Sequence, residues 1–251
     1  MTRGILLALA AAAALGGCAG GQTLDPETRA ARLAQINLQL GIGYLQEGKT
    51  DIALDKLRRA VKTDPSSPDA HLAVAVLYDR LGENEAAESH FRDALRLAPE
   101  NASIATNFGN FLCRLDRVPE AEEQFRHAAD NRGYETPEIA YTNAGLCLSR
   151  HGAPDRAEEY LRQALSARPS YPPALLALAE LSLAQGRADA ARGLLQRYHD
   201  TTEPGAQSLA LGVRVERALG DTRAAANYAG LLRSRFPDSA EAREVSLGRT
   251  K

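Results

Sequence analysis

The sequence predicts an all-α protein, a solenoid in which short helical hairpins repeat along the chain. The first supporting observation is a 34-residue period, since six units and one two-residue insertion account for residues 34–239. The second is composition: the chain has no Trp and only 5% aromatic residues, so its core must consist mainly of Ala and Leu, as in closely packed helices. The third is the recurrence of Gly and Pro at fixed places in the period, where helices turn and end.

The period divides the solenoid into six units of two helices, A and B: 34–67, 68–101, 102–137, 138–171, 172–205 and 206–239. In the first unit, small residues at positions 8 and 20 (Gly41 and Ala53) are expected to let the two helices approach closely. Leu57 at position 24 fills the space between units, as do large residues at positions 7 and 11. Gly48 at position 15 suits the A–B turn because Gly adopts a positive φ easily, and Pro65 at position 32 ends helix B.

These columns resemble the tetratricopeptide repeat, a helix–turn–helix unit of 34 residues. The resemblance implies a right-handed superhelical solenoid with the A helices on its concave face. It is specific in the first four units and weaker in the last two, where Ser182 stands at position 11 and Gly212-Val213 replace the usual large and small pair at positions 7 and 8. A single hairpin cannot bury its own apolar face, so the units are expected to stack.

The N-terminal segment predicts an exported, lipid-anchored protein. Residues 1–17 combine Arg3 with an apolar stretch of signal-peptide length, and Leu15-Gly16-Gly17 stand directly before Cys18. This ending resembles the bacterial lipobox, which implies cleavage before Cys18 and acylation of that residue; a plain secretory signal is the alternative. Ala19, in place of Asp, implies by the same resemblance that the protein reaches the periplasmic face of the outer membrane.

Two short segments flank the repeats. Residues 18–25 begin with small and polar side chains and are expected to form a tether between lipid and fold. Asp25-Pro26-Glu27 has the composition of a helix start, so the solenoid is expected to begin at residue 26 with a helix that continues into the first unit. Residues 240–251 are expected to form a C-terminal cap or tail that frays near Ser246.

Composition and motif spacing argue against several function classes. The formal net charge of −2 is too balanced for a protein that binds mainly nucleic acid. The five histidines are at least 19 residues apart in sequence, so no pair shares one helix face as metal ligands would. Acidic residues such as Glu120, Glu122 and Glu158 suit the N-terminal dipoles of B helices. We therefore expect no enzyme activity, no metal site, no small-molecule substrate and no cofactor besides the lipid on Cys18.

Two further cysteines lie 34 residues apart, one in each of two consecutive A helices. Cys113 is at position 12 of unit three and Cys147 at position 10 of unit four, and adjacent A helices lie side by side in such arrays. In an oxidising compartment the two thiols are expected to form a disulfide, which would contribute about 3–4 kcal/mol by closing a loop of roughly 35 residues. The alternative is a pair of buried free thiols that act as small hydrophobic residues.

The resemblance to tetratricopeptide repeats also implies which residues line the concave face. In the first three units the expected protein-binding groove contains Leu38, Ile42, Leu45, Leu72, Val76, Asp79, Arg80, Thr106 and Asn110. Leu38 and Ile42 occupy the positions where chaperone-docking relatives hold a carboxylate with Lys and Asn, so a carboxylate clamp is disfavoured. An apolar groove of this kind suits an amphipathic helix or strand of a partner. Alternatively, the helix over 26–33 or the tether covers it.

The whole mature sequence resembles one family of lipoproteins. The lipobox, the six repeats and the segments N-F-G-N-F-L-C-R (107–114), N-A-G-L-C-L (143–148) and P-P-A-L-L-A-L-A-E-L (172–181) are similar to type IV pilus biogenesis and stability lipoproteins of the PilF/PilW type. The resemblance implies a pilotin, which helps the outer-membrane secretin to reach its membrane and assemble into a ring. It also implies the same cysteine pair. Two alternatives remain: a general lipoprotein of outer-membrane protein assembly or envelope maintenance, and a scaffold for cell-wall enzymes.

Overall fold

A computed structural model of the protein describes residues 25–248, and all regular structure in this part of the chain is helical. Over residues 25–248, twelve helices form six hairpins, and a short thirteenth helix follows them. The A helices are α1 (Pro26–Gln46), α3 (Pro68–Leu81), α5 (Ala102–Arg114), α7 (Pro137–Arg150), α9 (Pro172–Ala184) and α11 (Ala206–Ala218). The B helices are α2 (Thr50–Thr63), α4 (Asn84–Leu97), α6 (Val118–Asp130), α8 (Pro154–Ala167), α10 (Ala188–His199) and α12 (Thr222–Arg235), and α13 is Ala240–Ser246. The predicted all-α fold is confirmed.

Each predicted unit contains one hairpin, and helix α7 begins one residue before the expected start of unit four. Asp25 caps α1 by accepting a hydrogen bond from the backbone N–H of Thr28 at 2.8 Å, and α1 continues without a break into the first unit, as predicted. The B helices α2, α4, α8 and α12 each end two residues before a proline at position 32. The signal segment, Cys18 and most of the predicted tether lie outside the described residues.

Helix contacts show how the array curves. Within residues 25–248 every A helix contacts its own B helix and the A helices of neighbouring units, and each B helix also contacts the next A helix. In this part of the chain, the Cα atoms of different B helices do not approach within 8 Å, and long side chains bridge the gap between them. The A helices therefore lie together on the inner side, and the B helices spread apart on the outer side. This arrangement makes the A helices the concave surface.

Position 15 has a left-handed backbone in every unit, which confirms the role predicted for this column. Five units place glycine there, with φ between 73° and 78°: Gly48, Gly82, Gly152, Gly186 and Gly220. Unit three has Asp116, whose φ is 61°. Asp tolerates this conformation better than most residues because its short polar side chain interacts with the local backbone, but glycine adopts it at lower cost.

Close approach of helices A and B requires glycine at particular positions. A Cβ atom added to Gly41 would lie 2.5 Å from Leu57 Cδ2, far inside van der Waals contact. In unit six the glycine that allows this close approach is Gly212, which is at position 7 instead of position 8. A Cβ atom on Gly212 would lie 2.6 Å from Tyr228 Cδ1. The weak sequence match of unit six therefore hides a normal hairpin in which Gly at position 7, rather than position 8, meets the B helix.

The core changes in character along the array. Four phenylalanines are buried around units two and three: Phe91, Phe108, Phe111 and Phe125. The rings of Phe91 and Phe111 have centroids 5.2 Å apart, a separation typical of favourable aromatic pairs. Elsewhere the core consists mainly of Leu, Ala and Val, as the composition predicted. No helix within residues 25–248 is both long enough and apolar enough to span a membrane.

Candidate protein-binding surface

Position 9 of the A helices forms a column along the concave surface. In the first four units this column contains Ile42, Val76, Asn110 and Leu146. Ile42 is 42% exposed and Leu146 is 38% exposed, while Asn110 is exposed and Val76 half-buried. Exposed large apolar residues on an otherwise polar helical surface are a usual feature of protein-binding sites. These four residues are referred to as the position-9 column.

Two residues predicted to line the groove lie in the core instead. Leu38 is 5% exposed and packs with Leu57 and Val74 between the first two units. Thr106 is also buried, and its hydroxyl donates a hydrogen bond to the carbonyl oxygen of Ala102 at 2.7 Å. The prediction that these two side chains are presented to a partner is wrong. Leu38 packs between the first two hairpins, where burying its apolar side chain is more favourable than exposing it, and the Thr106 hydroxyl is satisfied within its own helix.

The remaining apolar groove residues are only partly available. Leu45 is half-buried against the core of units one and two, and Leu72 is half-buried against the aromatic core. Val76 packs against the same aromatic core. The apolar surface open to a partner is therefore narrower than the sequence suggested and depends mainly on Ile42.

The polar groove residues differ in how strongly they are engaged. The Asp79 carboxylate forms an ion pair with Arg114 of the next A helix, and Arg114 also donates to Asn84 Oδ1 at 3.0 Å. The Arg114 guanidinium lies 5.5 Å from the centroid of the Phe111 ring. Arg80 is exposed. Asp79 thus links two units, whereas Arg80 and Asn110 remain open to solvent.

Two sets of exposed apolar residues were not predicted from the sequence. Leu146 was missed because only the first three units were considered, although it occupies the same position as Ile42. The other group lies at the N-terminal end of the array, where Leu33, Ile36 and Leu40 follow one face of α1 and are 48%, 45% and 43% exposed. Leu40 is at position 7 of the first unit, so its place at the start of the repeat pattern was the signal that could have identified this face.

Acidic residues at position 21 also have a role that the sequence analysis did not recognise. Glu88, Glu122 and Glu158 each pair with an arginine of the next unit: Arg117, Arg156 and Arg187 respectively. Hydrogen bonds from Arg117 and Arg187 lower the pKa of Glu88 and of Glu158. These residues therefore connect consecutive units across the outer surface, besides lying near the N-terminal ends of B helices.

The two cysteines meet as the packing of A helices predicted. Cys113 on α5 and Cys147 on α7 are both buried, their Cα atoms are 5.9 Å apart, and their Sγ atoms lie at bonding distance. The His151 side chain adjoins this pair, with Nε2 3.2 Å from the carbonyl oxygen of Cys113. Both cysteines lie toward the C-terminal ends of their helices, whereas the inserted residues 133–137 adjoin the start of α7.

The repeated hairpins and the concave surface of A helices define a tetratricopeptide-repeat protein. Models of the tetratricopeptide repeat match residues 38–102, 100–170 and 148–207. The helical units, the turn column at position 15 and the close A–B packing all agree with this class.

The comparisons with individual proteins place the chain in a narrower family. It is 33% identical over 207 residues to the type IV pilus assembly protein PilF of Pseudomonas aeruginosa PAO1, which covers 82% of each chain. A solved structure of Pseudomonas aeruginosa PilF superposes with a TM-score of 0.72 at 31% identity, over 88% of this chain and 99% of the other. The crystal structure of PilW, a widely conserved type IV pilus biogenesis factor, superposes with a TM-score of 0.76 at 35% identity, over 84% and 97%. The chain belongs to the PilF/PilW family of type IV pilus biogenesis proteins.

Proposed function

We propose that this protein is an outer-membrane lipoprotein that binds the type IV pilus secretin and promotes its localisation and multimerisation. The observation that carries the proposal is its similarity to PilF and PilW over more than four-fifths of the chain. The fold supports a scaffold, because tetratricopeptide units offer an extended concave surface to another polypeptide. We further propose that the protein is not an enzyme.

The proposed partner surface is the position-9 column with Arg80 at its margin. Ile42 and Leu146 supply exposed apolar contacts, and Asn110 and Arg80 supply open polar groups. An amphipathic helix or strand of the secretin fits this pattern because its apolar side chains would cover the leucine and isoleucine while its polar face stays in water.

The proposed anchor is a lipid attached to Cys18, with residues 1–17 removed and the segment 18–25 as a tether. Several acyl chains would hold the protein at the membrane more firmly than one. Radioactive palmitate should be incorporated into the wild-type protein and not into Cys18→Ser. Equal labelling of both forms would contradict the proposed attachment site.

The cysteine pair is proposed to be an oxidised disulfide in the mature protein. Mass spectrometry of unreduced protein should find the peptides of Cys113 and Cys147 joined, and free thiols at both positions would refute the bond. Because the bond would close a loop of roughly 35 residues, reduction is expected to lower the free energy of unfolding by about 3–4 kcal/mol.

A deletion strain provides the main functional test. Loss of the protein should remove secretin oligomers from the outer membrane and abolish twitching motility, and the wild-type gene should restore both. Broad loss of many outer-membrane proteins would instead support a general role in envelope assembly. Unchanged secretin oligomers would contradict the proposed function.

A further inference from the structure

A cluster of potential metal ligands lies within the second unit, away from the concave surface. His71 on α3 faces His90 and Asp93, which are one turn apart on α4. The Nδ1 atoms of His71 and His90 are 3.1 Å apart, and His71 Nδ1 is 3.7 Å from Asp93 Oδ2. One ligand atom from each residue falls within 4.8 Å of the others.

We propose that His71, His90 and Asp93 bind a divalent transition-metal ion, with zinc as the best match to these ligands. Two imidazoles and a carboxylate are common zinc ligands, and with metal–ligand bonds of about 2.0–2.1 Å a tetrahedral site separates its ligand atoms by roughly 3.3 Å. The two separations in the cluster lie on either side of that value. Small side-chain rotations would therefore complete three protein ligands and leave the fourth position to water.

The surroundings of His71 match those of a metal-binding histidine. Its Nε2 atom lies 3.2 Å from the carbonyl oxygen of Pro65, and a ring N–H that donates there leaves the lone pair of Nδ1 directed at His90 and Asp93. Metal-bound histidines usually donate their second ring nitrogen in this way. His71 is 6% exposed, so its ring is held in place. His90 and Asp93 are half-buried, and this leaves a route for an ion and a water molecule from solvent.

Neighbouring groups constrain the site without occupying it. Arg96 holds Oδ1 of Asp93 at 3.0 Å and leaves Oδ2 on the side of His71. The ring of Tyr78 stacks on His90 with centroids 5.8 Å apart, and Arg58 donates to the Tyr78 hydroxyl at 2.8 Å. Arg58 and Arg96 are cationic groups close to the cluster. Their charge opposes that of a metal ion and favours a site of moderate rather than extreme affinity.

The contact with Pro65 does not by itself define the site, because it recurs elsewhere in the array. His127 Nε2 lies 2.7 Å from the carbonyl oxygen of Pro99, and Arg197 donates to that of Pro169 at 2.8 Å. Among the described residues, His127 belongs to no cluster of three potential metal ligands. His127 is thus a matched control: it shares the structural contact and lacks the proposed co-ligands.

Sequence spacing gave no sign of this site. His71 and His90 are 19 residues apart and lie on different helices, so their proximity arises only when α3 packs against α4. The expectation that the protein has no metal site rested on spacing within single helices, and the proposal replaces it.

The test measures the zinc affinity of the full chain by competition with a chromogenic chelator. The protein is purified in detergent, without a polyhistidine tag and without reductant. We expect one site per chain in the wild type. His90→Ala and Asp93→Asn should each lose more than the roughly 10–100-fold in affinity that removal of an outer-sphere partner costs, and His127→Ala should bind as the wild type does. Tetrahedral cobalt(II) absorption should appear in the wild type and His127→Ala alone.

Two results would overturn the proposal. One is the lack of any wild-type zinc site tighter than about 100 µM, and the other is unchanged affinity in His90→Ala. Circular dichroism without metal ensures that the variants are folded. His90 and Asp93 are suitable positions because neither is fully buried, whereas substitution of His71 would also disturb the packing of α3. Loss of binding in a folded His90→Ala protein therefore reports on the ligand.

Discussion

The two ends of the solenoid differ in whether their apolar surface is covered. At the C-terminal end, α13 packs Ala242 and Val245 onto Leu209, Val213 and Leu232 of the last hairpin, and all five are buried. At the N-terminal end, Leu33, Ile36 and Leu40 of α1 stay between 43% and 48% exposed. The protein thus covers one apolar end with its own chain and, within residues 25–248, leaves the other open.

The exposure of the N-terminal end comes from location and not from residue type. Leu40 is at position 7, and its counterparts Val74, Phe108 and Leu178 are 0%, 6% and 2% exposed because a preceding hairpin covers each of them. Among residues 25–248, no hairpin precedes the first unit. A repeat that contacts only its neighbours needs a cap at each end, so the same amino-acid pattern can produce core or surface.

The largest expected effect is a difference in stability loss when a charge is placed at the covered end and at the open end. Val245→Asp places a charge in an apolar cluster and is expected to lower the free energy of unfolding by about 2–4 kcal/mol. Leu40→Asp at the open end should change it by about 1 kcal/mol or less, because water already reaches that side chain. Urea denaturation of the purified proteins measures both values. Equal losses would mean that the N-terminal end is covered in solution.

Two pairs of glycine substitutions test whether the hairpins at the two ends pack alike. Gly41→Ala should destabilise the protein by about 1–2 kcal/mol, since the new methyl group collides with buried Leu57. Gly43→Ala, two residues along the same helix with nothing within 4 Å, should stabilise it by about 0.5–1 kcal/mol. At the other end, Gly212→Ala and Gly230→Ala form the equivalent pair. Thermal or urea denaturation measures the change in stability for each substitution. If each pair changes stability in the same directions, the hairpins at the two ends are alike, and the two ends differ only in the cap that α13 provides.

The smallest expected effect concerns the interior units two to four, which carry a glutamate at position 21 that the first and last units lack. Position 21 is Glu in units two to four, whereas it is Leu54 in the first unit and Ala226 in the last. The pKa values of Glu88 and Glu158 are lowered in the folded protein, so these residues contribute stability above the ordinary glutamate value of 4.5. That contribution should disappear as the pH falls through their lower folded pKa values.

Hydrogen exchange of the intact protein at pH 6 and below pH 4 provides the measurement, after correction for the intrinsic exchange rate. Acid should reduce protection of α4 to α10 more than that of α1 and α12. Glu158→Gln should lessen the acid effect near units four and five. A uniform loss of protection along the chain would contradict a role for these pairs at the interior junctions.

Local rules predicted most of the fold. The turn at position 15, the proline that follows a B helix and the close contact at Gly41 each depend on neighbouring residues, and such constraints are visible in a repeat. The proximity of Cys113 and Cys147 followed from the packing of consecutive A helices.

Features that depend on helix rotation or on contacts between helices were harder to predict. Leu38 and Thr106 turn into the core by an angle that a position number does not give. The proximity of His71 and His90 requires the packing of α3 against α4. The exposure of Leu40 depends on what precedes the first unit, which the repeat pattern itself does not describe.

The central claim is that an inert helical scaffold binds the secretin through the position-9 column. The direct test is the dissociation constant of the purified full chain for secretin subunits. Ile42→Asp is compared with Leu231→Asp, which changes a similarly exposed apolar residue on the outer helix α12. We expect Ile42→Asp to abolish binding with unchanged helical content, and Leu231→Asp to bind as the wild type does. Wild-type affinity in Ile42→Asp would contradict the claim.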